Sequence, residues 1–191
     1  VKTIFLSAEK EDNFNNYIKW NKYEGWDGAP AIQLLYRDVG DYNSSVVIKD
    51  FNSYYTSYYD NIRNILEGSG KFCYYIKAIE GNINSYGFSD TVLSNVSCAI
   101  YRPLMFIPNA FNPFGKNNVF KPVVLYVDPK YYLLEIYNRW GDKVFTSDNI
   151  EKGWDGKVKD NYAPFGVYIY NIKIVDSKGI IFNRRGIVTL I

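Results

Sequence analysis

The sequence predicts an all-β protein built from two tandem β-sandwich domains. Aromatic residues make up 18% of its 191 residues, with 19 Tyr, 12 Phe and 4 Trp, and aromatic side chains favour strands. Strand signals recur about every ten residues and are separated by Gly, Asn, Asp and Pro. Helical periodicity is nearly absent. The length suits one large or two small domains.

The first hundred residues contain about seven predicted strands. The clearest is Lys71–Glu80, in which the even-numbered residues from Phe72 to Ala78 alternate onto one face. The segment Tyr58–Glu67 carries apolar residues at helical spacing and is predicted to be either one helical turn or an irregular connection. The other predicted strands are Thr3–Ala8, Asn16–Trp20, Ala31–Arg37, Ser45–Ile48, Tyr54–Tyr58 and Ser89–Cys98.

Residues 1–100 resemble a fibronectin type III domain, an Ig-like sandwich. The residues that carry this resemblance are Trp20 on the second strand and the Tyr74-x-Ile76-x-Ala78 pattern near the end of the domain. The boundary to residues 101–191 is expected at Ala99–Pro103, where Pro103 stiffens a short link. No Gly/Ser-rich linker is found there.

The two cysteines, Cys73 and Cys98, predict one disulfide in an oxidising compartment. The alternative is a pair of buried free thiols. In the fibronectin-like reading the two strands would be neighbours, and Cys73 would lie on the face opposite the core residues.

The second half restarts the strand pattern. Leu133–Tyr137 and Lys143–Thr146 predict a β-hairpin through Asn138–Gly141, in which Gly141 supplies a positive φ angle. Gly166–Val175 predicts a long strand with Tyr168 and the alternate residues after it facing inward. The remaining predicted elements are short strands at Leu104–Ile107 and Lys121–Val127, turns at Pro108–Asn118 and Gly153–Gly156, and a closing strand at Gly186–Ile191.

Five motifs in this half, taken in order, resemble the gliding-motility-associated C-terminal domain, the type B sorting domain of the type IX secretion system. They are Ile107-Pro108-Asn109-Ala110-Phe111, Ile136-Tyr137-Asn138-Arg139-Trp140-Gly141 with Val144-Phe145, Gly153-Trp154-Asp155-Gly156, Gly166-Val167-Tyr168-Ile169-Tyr170, and Gly186-Ile187-Val188-Thr189-Leu190.

The resemblance implies a C-terminal signal that directs export of a large surface or secreted protein. It also implies two partners, the outer-membrane translocon and an outer-membrane helper of the PorP/SprF kind. The protein would reach the cell surface or the medium through the periplasm, as monomeric domains. One stretch departs from the family: Asn112–Asn118 lacks the usual acidic residues. Because calcium needs several carboxylate oxygens, no metal is predicted there.

Composition excludes other classes of protein. Histidine is absent, which removes histidine-based catalytic triads and zinc sites. No basic block marks a nucleic-acid interface, and no cofactor or enzyme activity is predicted. No window is apolar enough for a membrane span. The chain starts at Val1, and we expect its targeting signal to lie upstream.

Several residues have two interpretations. Trp140 and Trp154 either cap the core or form a docking surface together with Asn138, Arg139, Gly141, Asp155 and Gly156. Arg139 either stacks on an indole or recognises a partner. Asp155 is expected to bond to backbone N–H groups of its turn. The tyrosines at positions 54, 55, 58 and 59 are expected to be structural. The alternative function is a carbohydrate-binding or adhesive module, in which such aromatic side chains stack on glycans.

Overall fold

The computed structural model describes residues 3–26, 30–40, 45–66, 68–81, 87–127, 129–176 and 178–191. The chain divides into two compact units, Val1–Tyr101 and Arg102–Ile191. The described helical segments are two single 3-10 turns, Asp12–Phe14 and Pro129–Tyr131. No helix in these residues is long and apolar enough to cross a membrane.

The first unit is a sandwich of two antiparallel sheets. Its strands are β1 (Leu6–Lys10), β2 (Asn15–Trp20), β3 (Pro30–Val39), β4 (Val46–Phe51), β5 (Ser57–Asn61), β6 (Lys71–Glu80), β7 (Thr91–Leu93) and β8 (Ser97–Ile100). One sheet has the order β1-β2-β5. The other has the order β4-β3-β6-β7, and β8 pairs with β6 farther along that strand. Its core includes Ile18 and Trp20 from the first sheet and Phe72, Tyr74 and Ile76 from the second, all buried. The predicted all-β sandwich is confirmed.

Two local predictions in this unit need correction. Of the two alternatives for Tyr58–Glu67, the helical turn is wrong over the described residues, because Tyr58–Asn61 belongs to β5, which pairs with β2, whereas residues 62–66 form the irregular connection. Three apolar residues are too few to hold a helix against a strand that completes a sheet. Glu67 lies outside the described residues. The segment predicted as one strand, Ser89–Cys98, covers β7 and only the start of β8. Ser94 lies in the interruption between these strands, and its hydroxyl accepts the Ile76 N–H.

A disulfide joins Cys73 to Cys98, as the sequence predicts. The two residues lie directly opposite each other on β6 and β8. Cys73 alternates with the buried Phe72 and Tyr74, so the bond lies on the face of the sheet away from the core. It therefore ties β8, the last strand of the unit, to the central strand β6.

A buried polar network crosses the core of the first unit. The Tyr74 hydroxyl donates to Asp60 (2.8 Å) and accepts from the Asn16 side-chain amide (2.6 Å). Asp60 also accepts from Arg37, and Asn16 accepts from the Tyr101 hydroxyl. Burial, reinforced by the charge of Asp60, raises the pKa of Tyr74 far above its usual range, so this hydroxyl keeps its proton and remains a donor.

The second unit is built on a five-stranded sheet. Its strands are β9 (Leu104–Phe106), β10 (Ala110–Phe111), β11 (Val123–Leu125), β12 (Leu133–Tyr137), β13 (Lys143–Ser147), β14 (Lys157–Val158), β15 (Asn161–Tyr162), β16 (Gly166–Val175) and β17 (Ile181–Leu190). The large sheet has the order β10-β17-β16-β12-β13. The two-stranded pairs β9-β11 and β14-β15 contribute Val124, Met105 and Val158 to the core that this sheet covers.

The last strand differs most from its prediction. The sequence predicts Gly186–Ile191, whereas β17 runs over ten residues, Ile181–Leu190, and pairs with all ten residues of β16. On its other side β17 pairs in parallel with β10, which lies inside the segment predicted to be only a turn. Long-range pairing of this kind has no local sequence signal. The predicted hairpin of β12 and β13 is present, and Gly141 has a φ of 90°.

Replacing both cysteines by alanine should lower the free energy of unfolding of the first unit by about 3–4 kcal/mol, because the bond closes a loop of 25 residues in the unfolded chain. Urea titration of the full chain, followed by the NMR signal of the Trp20 indole, measures this loss. The wild type with its disulfide reduced is the matched control and should unfold at the same urea concentration as the variant. An unchanged midpoint in both would contradict a stabilising role.

Tyr74→Phe should cost about 1–3 kcal/mol, because it removes the acceptor of the buried Asn16 side-chain amide and one of the donors to Asp60. Tyr75→Phe is the matched control. Its ring stacks on Tyr36 on the opposite face of β6, at 4.6 Å between ring centroids, and its loss should stay within about 0.5 kcal/mol. Equal effects of the two variants in urea titration would show that the network adds nothing to stability.

Candidate recognition site of the C-terminal unit

Asn138 organises the loop that joins β12 to β13. Its side-chain oxygen accepts the N–H groups of Trp140 (3.0 Å) and Asp142 (2.9 Å), and its side-chain amide donates to the Asp142 carboxylate (2.9 Å). The Gly141 N–H donates to the Asn138 carbonyl. Since Asn138 and Gly141 serve the turn itself, the two residues between them are left to face outward.

Arg139 and Trp140 form the exposed tip of this loop. Trp140 is 71% exposed, so the interpretation that it caps the core is wrong. The reason is the two-residue loop tip, which projects beyond both strands. The Arg139 guanidinium lies 4.6 Å from the centre of the Trp140 ring, which is a cation–π contact. The structure thus combines the two interpretations of Arg139, because the residue stacks on an indole and remains exposed.

A groove of about 480 Å³ lies beside this tip. One wall is the loop tip with Val144 of β13, and the other wall is the segment 158–168. Phe165 (64% exposed) and Val167 (52% exposed) add apolar surface to it. Burial raises the pKa of Tyr168 at the groove floor, and the positive charge of Arg139 opposes that rise. We call this site the Arg139 groove.

Phe165, Val167 and Tyr162 are groove residues that the sequence interpretation did not identify as candidates. Ala163-Pro164 precedes Phe165 and marks a turn. That signal could have identified an exposed aromatic residue at a turn. It could not have indicated that this turn lies across the groove from the Asn138–Gly141 loop, because only the pairing of β12 with β16 brings the two segments together.

Trp154 belongs to the core and not to a docking surface. It is fully buried, and its ring packs edge-on against Tyr168 at 4.8 Å and against Phe111 at 5.4 Å. Its indole N–H donates to the Lys157 carbonyl, and its backbone pairs with Phe120. The prediction that Trp154 recognises a partner therefore needs correction, since a partner cannot reach it in the folded unit. The interpretation as a core residue holds for this tryptophan.

Gly156 and Asp155 also serve the fold. Gly156 is buried with a φ of 84°, and a Cβ atom there would lie 2.7 Å from Pro113 and 3.3 Å from Leu190. Asp155 accepts the Lys157 N–H at 3.0 Å, as expected for a turn carboxylate. The Gly153–Gly156 motif thus lets the chain pass directly over the Phe111 and Leu190 side chains. Gly156 cannot contribute an exposed recognition surface.

The first and last motifs pair with each other. The Asn109 carbonyl accepts the Thr189 N–H, and the Phe111 carbonyl accepts the Ile191 N–H (3.0 Å). Phe111 and Leu190 are both buried, and Ile107 packs against the same core. Pro108 and Ala110 lie half-buried along this pairing. The Ile107–Phe111 motif and the Gly186–Leu190 motif are therefore joined by strand pairing and by a shared core.

The two glycine-led motifs of the central strands lie on neighbouring strands. Gly166 begins β16, next to Leu190 of β17, and Tyr168 follows with its hydroxyl donating to the Pro164 carbonyl. Gly186 of β17 lies opposite Tyr170, whose ring covers it so closely that a Cβ atom would be 2.6 Å from the ring carbon Cζ. An aromatic ring over a cross-strand glycine stabilises a sheet at the position where a side chain is missing.

The amide-rich loop Asn112–Asn118 closes on itself. Asn112 accepts the Phe114 N–H through its side chain, and Asn117 donates from its side chain to the Ala110 carbonyl. Its amides thus satisfy the backbone of the loop. Within the described ranges, no three Asp, Glu, Cys or His side chains come close enough together to hold a metal ion.

The tyrosine cluster of the first unit does not form one platform. Tyr55 and Tyr58 pack against Phe51 at 5.6 and 5.4 Å. Tyr59 packs instead on its cross-strand neighbour Tyr17 at 4.7 Å, and Tyr54 is 81% exposed. The four rings therefore make separate contacts and do not form one surface on which a sugar could stack.

These observations define the second unit as a self-contained β-sandwich whose motifs build its core and leave one loop and groove exposed. Residues 105–190 match the family model of the CHU_C Type IX secretion signal domain. The second unit is therefore a type IX secretion signal domain, which confirms the sorting domain recognised in the sequence. A domain of this kind indicates export to the cell surface or the extracellular medium and interaction with the type IX secretion machinery.

Solved structures share partial likeness with the chain. One is pectate lyase Pel3 from Pectobacterium carotovorum, with 18% identity over 59% of this chain and a TM-score of 0.40. A tetra-tandem repeat in the extending region of a large adhesion protein has 11% identity over 99% of this chain and a TM-score of 0.44. The FN1-FN3 domains of chicken CNTN1 have 13% identity over 97% of this chain and a TM-score of 0.36. The chain spans 34%, 49% and 65% of their respective lengths. At these identities and TM-scores none of them establishes a shared activity. No curated protein matches the sequence.

Gly156→Ala should destabilise the second unit much more than Gly141→Ala. Both glycines have a positive φ, so both variants carry backbone strain of about 1 kcal/mol. Only at position 156 does the added Cβ also meet packed atoms, whereas nothing lies within 4 Å of it at position 141. Overpacking should add about 1–3 kcal/mol. Thermal unfolding of the full chain compares the two variants, and equal losses would show that the close approach at Gly156 is relieved without cost.

Proposed function

We propose that residues 101–191 direct export of a large surface or secreted protein, such as an adhesin, through the type IX secretion system. The domain is read by the machinery as a folded shape. Residues 1–100 act as a fibronectin-like spacer between this signal and the exported cargo, and neither unit is catalytic. The resemblance to type B sorting domains adds an outer-membrane helper of the PorP/SprF kind as a partner.

The observation that carries the proposal is the convergence of the motifs. Phe111, Trp154, Tyr168 and Leu190 come from four separate motifs and lie in one buried cluster. Residues that a machine recognised as a linear tag would need to be accessible. These residues are inaccessible in the folded unit, which supports recognition of the whole shape over recognition of a terminal sequence.

The disulfide supports the route through the periplasm. Bonds of this kind form and persist in oxidising compartments and are rare in the cytosol. Cys73 and Cys98 lie outside the signal domain, so the spacer would acquire its bond before or during export. The bond therefore supports folding of the first unit on the periplasmic side.

The end of the chain separates the two modes of recognition, because buried and exposed side chains alternate there. Val188 and Leu190 are buried, whereas Ile187 and Ile191 are 61% and 56% exposed. A periplasmic reporter fused in front of residues 101–191 should appear at the cell surface or in the medium of a bacterium that has this system. Retention of the wild-type fusion in the periplasm would contradict the proposed function.

The double variant Val188→Ala/Leu190→Ala should lose export, because removing both buried side chains costs about 3–6 kcal/mol and unfolds the unit. Ile187→Ala/Ile191→Ala is the matched control and should be exported and folded normally. Circular dichroism of the purified fusions reports the fold. A linear tag predicts the reverse: loss of export by the exposed-residue variant, or by deletion of Gly186–Ile191 in a domain that stays folded.

A further inference from the structure

The Arg139 groove has an unusual balance of charge. Arg139 is its one charged wall residue among the described residues, and no carboxylate lines it. The acidic residue of the loop is Asp142, whose carboxylate already accepts a hydrogen bond from the Asn138 side-chain amide. The Gly141 N–H is hydrogen-bonded within the same turn. The groove is thus an apolar cleft with a single positive charge at its rim.

The Arg139 guanidinium packs on the Trp140 ring but leaves its hydrogen-bond donors unpaired among the described residues. Among the described residues, no hydrogen bond or salt bridge of its side chain is found. A planar guanidinium presents five N–H donors in a fork that matches a carboxylate. Its donors therefore remain available to a ligand that carries one.

The walls of the Arg139 groove carry apolar side chains, and its volume suits a small ligand or a short peptide segment. Trp140, Phe165 and Val167 are each more than half exposed, which is uncommon for large apolar side chains gathered around one cleft. A volume of about 480 Å³ falls in the range of sites that hold small ligands or short peptide segments. Apolar burial and one charged hydrogen bond can then act together.

The neighbouring sheet edge favours a peptide over a sugar. Val144 lines the groove and belongs to β13, which is the last strand of the five-stranded sheet in the described part of the chain. An edge strand offers unpaired N–H and C=O groups to another chain. An extended segment that pairs with β13 would lie along the Val144 side of the groove and place alternate side chains beside Trp140, in the usual geometry of strand addition.

We propose that the Arg139 groove binds an extended segment of a partner protein in which a carboxylate side chain lies close to an apolar one. The segment's backbone pairs with β13, the carboxylate meets the Arg139 guanidinium, and the apolar side chain packs on the Trp140 side of the groove. This inference rests on the proposed function, since the partner is a component of the export machinery.

The groove can be tested with two blocked tetrapeptides, Ac-Val-Asp-Phe-Val-NH2 and its neutral twin Ac-Val-Asn-Phe-Val-NH2. Titration into the full ¹⁵N-labelled chain should shift the signals of the Trp140 indole, Phe165 and β13. The acidic peptide should bind about fivefold more tightly at low salt, and the difference should shrink at high salt. Equal binding, or no shift with either peptide, would overturn the proposal.

Substitutions identify the group responsible. Arg139→Gln should remove the preference for the acidic peptide, and Arg139→Lys should retain only part of it, because lysine keeps the charge without the fork. Arg185→Gln on the exposed part of β17 is the matched control and should leave the preference unchanged. Sodium glucuronate is the carbohydrate probe. Shifts at the groove with glucuronate and none with the peptides would replace the peptide by an acidic sugar and overturn the proposal.

The export assay separates this inference from the proposed function. In the reporter fusion, Arg139→Gln should reduce surface display about fivefold or more, while Arg185→Gln should stay within about twofold of the wild type. Retention of the wild-type reporter means that the sorting function itself fails. Export of the wild type together with equal export of a folded Arg139→Gln variant means that only the groove inference fails.

Discussion

The position of the last strand in the middle of a sheet is the constraint on which the second unit depends. β17 pairs with β16 along ten residues on one side and with β10 in parallel on the other. Because Leu190 also packs against Phe111 and closes over Gly156, the unit cannot complete its core before the end of the chain is in place.

The same packing divides the sequence motifs into two groups. Most motif residues face the core, cover a glycine or close a turn, and their chemistry is explained by folding alone. Arg139 and Trp140 differ, because Asn138 and Gly141 satisfy the turn and leave both side chains to solvent. In the proposed binding mode, this exposed pair forms one wall of the Arg139 groove.

The first unit is stabilised from both faces of β6. On the outer face the disulfide holds β8, and on the inner face the Tyr74 hydroxyl joins Asp60 and Asn16 across the core. Tyr101, the last residue of the unit, bonds to Asn16 as well, so its C-terminal end is anchored up to the point where the second unit begins.

The amino-acid pattern by itself determined the strand class, the alternation of β6 and β16, the hairpin at Asn138–Gly141 and the family of the second unit, because these depend on local periodicity, turn chemistry and residue order. The sequence interpretation treated Trp140 and Trp154 alike, since both lie in glycine-bounded turns, and it interpreted the stretch around β10 only as a turn. Tertiary structure alone decided that Trp154 is buried against Tyr168 while Trp140 projects into solvent, and that β10 pairs with the end of the chain. The physical reason is that burial and parallel pairing depend on segments that are distant in the sequence, such as Ala110 and Thr189, and neighbouring residues carry no information about which surfaces will meet.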